Sequence, residues 1–351
     1  MTSYMIMMLA LGIQIDRTVP TQWSALLQQA QAEYISGHFA VAEGLFVDAL
    51  GQIPQSDVRQ RAKVLGDLGN VYTEQEAFSK AERTYSQSLS LSEQLSDSSN
   101  SALMLQNLGV LYSLGGRNDE ASRFVARARQ LTHSAVPGDP RTEAQMLVGS
   151  GIVQYQRNRT REAEKAFNEA LEIVRAANVP FDTSVLLNNL GAVYLQQHKL
   201  KLAEDVLMRA LQIKEADQST VDRDLTPELN MLGNVYMATG KFAEAEKQYD
   251  RSLKILESRR SDSAPAIARV LHSLSKAYSK LNRQSESEAA LRDAANIAHD
   301  NLSKDFEMAQ ILEDYSKLLQ RHGQKQEAAS LLAQIKLARA TADLVIRPHP
   351  Q

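Results

Sequence analysis

Lys276 and Lys280 stand four residues apart, and Lys317 and Arg321 repeat that spacing further along the chain. Four residues is about one helical turn, so each pair would share a helix face. Together the four could bind an anion, and Arg321 could take a carboxylate through two parallel hydrogen bonds. No comparable grouping points to covalent chemistry. The seven histidines (His38, His133, His198, His272, His299, His322 and His349) are scattered. None has a second histidine one turn away with a glutamate between, the spacing of a helical metal site. Gly66/Gly69 and Gly149/Gly151 fall inside helical patterns, whereas a phosphate-cradling loop lies between a strand and a helix. There is no cysteine, which removes disulfides, thiolate ligands and cysteine nucleophiles together. Serine-elbow, paired-acid and kinase-like sets are missing as well. The chain is therefore expected to be no enzyme, with no metal and no cofactor.

The elements that would position the cations follow from a repeat. Small residues recur in pairs twelve apart: Ala30/Ala42, Gly69/Ala81, Gly109/Ala121, Gly151/Ala163, Gly191/Ala203, Gly233/Ala245, Ser275/Ser287 and Ser316/Ala328. The first members are separated by 39, 40, 42, 40, 42, 42 and 41 residues. A constant period in this range marks stacked supersecondary units. Within a unit such as Leu232, Gly233, Tyr236, Gly240, Phe242, Ala245, Tyr249 and Leu253, apolar and small residues recur at three- and four-residue steps, the stripe of a buried helix. Gly240 interrupts the stripe where a left-handed helix end is needed, so each unit reads as helix, tight turn, antiparallel helix. Further turn glycines are Gly37, Gly116 and Gly323. The small residues allow close helix approach, and second-helix anchors follow four residues after the second small one: Phe46, Tyr85, Val125, Phe167, Leu207, Tyr249, Leu291 and Leu332. Pro137, Pro140, Pro180, Pro227 and Pro265 are expected in loops between units. Glu162, Glu164, Glu244 and Glu246 alternate with lysines and read as a solvated face of pairs along each second helix.

Leu68-Gly69-Asn70-Val71-Tyr72 and Leu232-Gly233-Asn234-Val235-Tyr236 resemble the first-helix motif of the tetratricopeptide repeat family. Trp23 lies three residues further back than the family's early aromatic position. The resemblance spans roughly residues 22–340, and its period of about 41 exceeds the family's common 34. It is similar to the longer repeats of kinesin light chains and of cell-polarity adaptors. It implies an all-α fold: a right-handed α-solenoid of about eight antiparallel helix pairs over residues 22–346, with a short tail at 347–351.

Residues 1–21 would form a separate N-terminal arm. Met5 to Leu11 is apolar and lacks a basic start, which suits a hydrophobic cap on the first repeat; the small residues Ala10 to Gly12 leave a signal remnant as the alternative. The run is too short to span a bilayer. Hydrophobic content of 43%, charged content of 23% and a net charge of −3 give no pull toward nucleic acid or membrane. Between a cytoplasmic and an exported location, cytoplasmic is the expectation.

In this family the first helices line a concave groove. Carried over by position, the resemblance places Asn70, Gln106, Asn188, Asn230 and Asn234 in its middle, where amides could pair with a peptide backbone. It places Arg269, His272, Lys276, Lys280, Lys317 and Arg321 in the last two units, suited to an acidic peptide or a terminal carboxylate; an ordinary solvated lysine face is the competing reading. Tyr155, Met231 and Met237 could add apolar contacts, with packing beneath the groove as the alternative for Met231. The expected function is a non-enzymatic protein-interaction scaffold binding an extended or helical segment, with self-association through the array ends as a further possibility. The alternatives are an exported structural subunit, or a peptide-responsive regulator resembling the bacterial repeat proteins that switch phosphorelays. The latter carry a helical bundle ahead of their repeats, and only about twenty residues precede the first unit here.

Overall fold

The computed structural model describes residues 22–345 except 76, 136–138, 179–180, 217–223, 259–263 and 303–305. Pro137, Pro180, His133 (its side chain), His349 and the arm at 1–21 lie outside the described residues. Among the described residues there are sixteen helices and no strand. They are α1 (Gln22–Ile35), α2 (Phe39–Gln52), α3 (Val58–Glu74), α4 (Phe78–Gln94), α5 (Ser98–Leu114), α6 (Asn118–Ala135), α7 (Pro140–Gln156) and α8 (Thr160–Ala177). There follow α9 (Thr183–Gln196), α10 (Leu200–Ala216), α11 (Thr226–Thr239), α12 (Phe242–Ser258), α13 (Ala264–Lys280), α14 (Gln284–Asp300), α15 (Phe306–Arg321) and α16 (Lys325–Val345). Odd and even helices pair in order, which gives the eight helix pairs that the period implies. The described residues fall into two compact units that divide between Asp224 and Leu225. One holds α1–α10 and the other α11–α16. Each is an α-solenoid in which the second helix of a pair also packs on the first helix of the next.

The conserved spacing within each pair has a steric cause. A Cβ added to Gly69 would stand 2.4 Å from the Tyr85 ring, on Gly151 2.6 Å from Phe167, on Gly191 2.5 Å from Leu207 and on Gly233 2.4 Å from Tyr249. Each partner lies sixteen residues further on and is the anchor of its own repeat. The glycine thus seats a side chain rather than a bare backbone, and Tyr85, Phe167, Leu207 and Tyr249 are almost wholly buried. Where Ser275 replaces glycine, Ser287 Oγ donates to its carbonyl at 2.7 Å.

Turns within the pairs share one geometry. A left-handed residue stands at Gly37, Gly116, Asn158, His198, Gly240, Asn282 and Gly323. The next amide returns to a carbonyl five residues back, as in Arg117 N to Tyr112 O at 2.8 Å and Lys199 N to Tyr194 O at 2.8 Å. This is the Schellman closure of a helix C-terminus. In the first unit the start of α3, α5, α7 and α9 is capped by Asp57, Asp97, Asp139 and Asp182, each accepting from a backbone amide of the first turn.

The prolines depart from expectation. Pro140 opens α7, Pro227 is the second residue of α11, and Pro265 is the second residue of α13. A first-turn residue has no intrahelical partner for its N–H, so proline costs nothing there and its fixed φ already suits the helix.

Gly191→Leu is expected to destabilise the first unit by roughly 1–3 kcal/mol or more, because the added side chain meets Leu207. Urea denaturation followed by circular dichroism measures it, and Gly191→Leu/Leu207→Ala should recover part of the loss.

Candidate functional site

The amides assigned to the groove are mostly occupied by the fold. Asn70 is buried; its Oδ1 accepts from Tyr85 Oη at 2.7 Å and from Asn107 Nδ2 at 3.2 Å. Asn234 Oδ1 likewise accepts from Tyr249 Oη at 2.7 Å. Both asparagines stand one residue after the glycine, in the two repeats that combine that glycine with a tyrosine anchor. An apolar anchor has no hydroxyl to satisfy, and those repeats carry other residues at this position. Gln106 is buried and donates to the Gln145 carbonyl of the next repeat at 2.5 Å. Gln106 Oε1, Asn188 Oδ1 and Asn230 Oδ1 are buried atoms with no hydrogen-bond partner among the described residues. Asn70, Gln106 and Asn188 belong to the first unit, Asn230 and Asn234 to the second. Met231 is buried, so packing is its role; Tyr155 and Met237 are half-buried.

The cations of the last two repeats come together within the second unit. Lys276 and Lys280 on α13 and Lys317 and Arg321 on α15 are all exposed. Lys317 senses Arg321, and Lys276 senses Lys317, as like charges. Between them sits Asp314, which the groove map had not singled out. It accepts from His272 Nε2 at 2.9 Å and from Lys317 Nζ at 2.8 Å. The bond from His272 first, and then that from Lys317, hold the Asp314 carboxyl far below the usual range. Burial holds the His272 imidazole below its ordinary value, against the pull of Asp314. Desolvation likewise lowers the Lys276 ammonium, while Asp314 raises that of Lys317. Arg269 lies 3.6 Å from Glu307. His272 and Arg269 therefore serve the interior of the patch. Lys276, Lys280 and Arg321 form no ion pair among the described residues and present open charge.

A second regularity runs along the turn edge of both units. The glutamate that follows the second small residue reaches the next repeat: Glu43 pairs with Lys80 at 3.2 Å, Glu164 with Lys199 at 3.0 Å, Glu246 with Arg283 at 2.7 Å and Glu288 with His322 at 3.3 Å. Glu82 accepts from Tyr112 Oη at 2.5 Å. A cation also covers the tyrosine closing the first helix, as for Arg117 over Tyr112 at 4.1 Å and Arg283 over Tyr278 at 4.5 Å. Lys199 over Tyr194 and Lys241 over Tyr236 follow the same pattern. Glu164 and Glu246 thus bridge repeats, contrary to pairing along one helix; the helix-internal pair on α8 is Lys165 with Glu169. The glutamate that follows the second small residue in six of the eight repeats, with Ser122 and Ala329 as the exceptions, was the signal that could have shown this.

In the first unit, Tyr34 Oη donates to Glu74 at 3.4 Å, and the Asp67 carboxyl stands close enough to raise the same phenol. Burial pushes Asp67 up to about 7, with Lys63 pulling the other way. Among the described residues no His/Cys/Asp/Glu group could hold a metal ion, and no helix is long and apolar enough to cross a membrane.

A family model described as tetratricopeptide repeat matches residues 60–133, 141–216 and 225–300, more than half of the chain. The chain belongs to the tetratricopeptide repeat family. Among solved structures it is similar to the hetero-tetramer Cut9-Hcn1 of the APC/C, with a TM-score of 0.56 and 16% identity over 90% of this chain. It spans 56% of the length of that protein chain. The apo form of RapI matches with a TM-score of 0.56 and 13% identity, over 79% of this chain and 76% of that one. BtubC (BKLC) from P. vanneervenii matches with a TM-score of 0.43 and 23% identity, over 68% of this chain and 92% of that one. No curated protein matches in sequence. Family and fold together support the reading of a protein-interaction scaffold.

Two measurements separate fold from groove. Tyr85→Phe is expected to cost roughly 1 kcal/mol in denaturant unfolding, because the Asn70 carbonyl loses a buried donor, and to leave partner binding unchanged. Asp67 gives a pH signature. Its folded value lies above that of an unfolded aspartate, so the folded state holds the proton more tightly. The stability this contributes is full in acid and is lost as pH rises to about 7. Asp67→Asn should therefore melt higher than the parent at pH 8 and level with it at pH 4.

Proposed function

We propose that this tetratricopeptide repeat protein is a non-enzymatic scaffold that holds an extended or helical segment of a partner protein on its first helices. The acidic part of that segment seats on α13 and α15. The observation carrying this reading is the open charge of Lys276, Lys280 and Arg321 beside Lys317, with Asp314 as the counter-ion set among them. An acidic stretch or a terminal carboxylate meets two lysines and one arginine at once. Arg321 offers the planar fork that such a group needs.

The test is quadruple charge reversal at Lys276, Lys280, Lys317 and Arg321 to glutamate, read by anisotropy of a fluorescein-labelled acidic probe peptide with a free C-terminus. Binding should fall at least tenfold, and raising salt should weaken parental binding, since exposed charges are screened. The melting temperature should hardly move, because exposed charges contribute about 0–1 kcal/mol. Undiminished binding by the reversed variant overturns the reading. Self-association through the end of the array is a second reading, favoured by Leu332 and Leu337 on α16, which are 39% and 67% exposed.

A further inference from the structure

We propose, building on the reading of α13 and α15 as the seat of an acidic segment, that the charge state of His272 sets how tightly that segment is held. The seat strengthens as the medium is acidified. His272 is the buried member of the cluster, 8% exposed, and the exposed Lys276 follows it one turn later on α13. Its Nε2 lies 2.9 Å from Asp314 Oδ2. The other oxygen of the same carboxylate accepts from Lys317 Nζ at 2.8 Å and from Gln310 Nε2 at 3.4 Å. Asp314 is held ionised by these bonds, and an ionised carboxylate only accepts. The imidazole therefore donates Nε2–H to it in either charge state, and a further proton goes to Nδ1. With a neutral imidazole, Asp314 cancels Lys317 alone. With an imidazolium, the one carboxylate is shared between two cations, and an additional positive charge stands in the cluster of Lys276, Lys280 and Arg321.

Imidazole is the side chain whose charge ordinarily changes near neutral pH. The six preceding repeats carry Leu27, Gly66, Gln106, Val148, Asn188 and Asn230 at this position, none of them titratable. Around His272, α15 brings Glu307, Asp314 and Lys317, and α13 itself brings Arg269 and Lys276, with Arg269 3.6 Å from Glu307. The buried residues of α14 are Ser287, Ala290, Ala294, Ala295 and Ala298, which carry no proton to exchange. Those of α12 include Tyr249, whose phenol burial pushes up and away from neutrality. Burial lowers the His272 imidazole, and the ammonium groups of Lys276 and Lys317 act in the same sense against the pull of Asp314. A carboxylate arriving at those ammonium groups offsets them and draws a proton onto His272. By linkage the proton favours the carboxylate by the same factor. Affinity thus rises as pH falls through the His272 value, which lies below that of a free imidazole. His322, next to Arg321 and 3.3 Å from Glu288, is the competing titrating group.

The test uses the full chain and a rhodamine-labelled peptide with two aspartates, no histidine and a free carboxyl terminus, read by anisotropy at constant ionic strength. The parent is expected to bind it about threefold to tenfold tighter at pH 5 than at pH 8, the effect of one added charge at a partly exposed site. His272→Gln keeps a donor for Asp314 and cannot become charged, so it should bind alike at both pH values. His322→Gln should follow the parent. A second measurement needs no variant to bind: in a nuclear magnetic resonance titration of the imidazoles, saturation with the peptide should raise the His272 value by the logarithm of that ratio. Three results would overturn the proposal and leave the anion seat standing. They are binding that quadruple charge reversal abolishes but pH does not alter, an equal pH dependence in His272→Gln, and a His272 titration that the peptide does not move. A parent that fails to bind the peptide at either pH would overturn both.

Discussion

The contact between a first-helix glycine and the anchor sixteen residues later sets the geometry of every full repeat that has one. A ring, a leucine or, at Gly109, a valine lies where a Cβ would be, so the two helices of a pair can approach only with hydrogen at that position. Overpacking such a contact displaces both helices, because cores at crystal-like density have no slack to absorb a methyl group. The rest of the repeat adapts to the anchor. Where it is tyrosine, its hydroxyl must be satisfied, and the asparagine beside the glycine does so in both Tyr85 and Tyr249 repeats. The residue that looked most suited to a partner's backbone is thereby committed to the core.

Much of the fold was legible for the same reason. Glycine, serine and alanine at a fixed interval are steric requirements, and these survive in sequence as residue type. The eight pairs, the anchors other than Leu332, which is 39% exposed, and four of the turns could be read directly. The turns at Asn158, His198 and Asn282 could not, because a left-handed residue other than glycine carries no unmistakable identity. The site was less legible. The cations at four-residue spacing could be found, but their counter-ion could not be assigned: Asp314 lies two residues before Ser316, off the groove positions. Asn70 and Gln106 are engaged within the stack because adjacent first helices stand close enough to exchange hydrogen bonds, as Asn107 with Asn70 and Gln106 with Gln145 show. Only the three-dimensional stack reveals which inner residues face a neighbour.

Coupling between repeats rests on the turn edge as well as on apolar burial. Glu43, Glu82, Glu164, Glu246 and Glu288, each after the second small residue of its repeat, connect to the following repeat, and the cation met often lies over the tyrosine that closes the first helix. A half-exposed pair of this kind contributes little alone. Repeated along the stack it acts where a repeat array is most vulnerable, at nearest-neighbour interfaces, since each unit touches only the next.

That division of charge explains why the patch on α13 and α15 remains open. Four cations on adjacent helices repel one another, and desolvation adds to the cost at Lys276. Asp314 relieves part of it through Lys317 and His272, and Glu307 sits beside Arg269. Neither acid reaches Lys280 or Arg321 by a hydrogen bond. A carboxylate arriving as proposed would gain twice: it would form its own charge-assisted bonds, and it would lower the repulsion among the cations it joined. A fully compensated surface would offer only an exchange of partners. Among the described residues the fold neutralises the interior of the patch and leaves Lys280 and Arg321 at its rim without an ion pair.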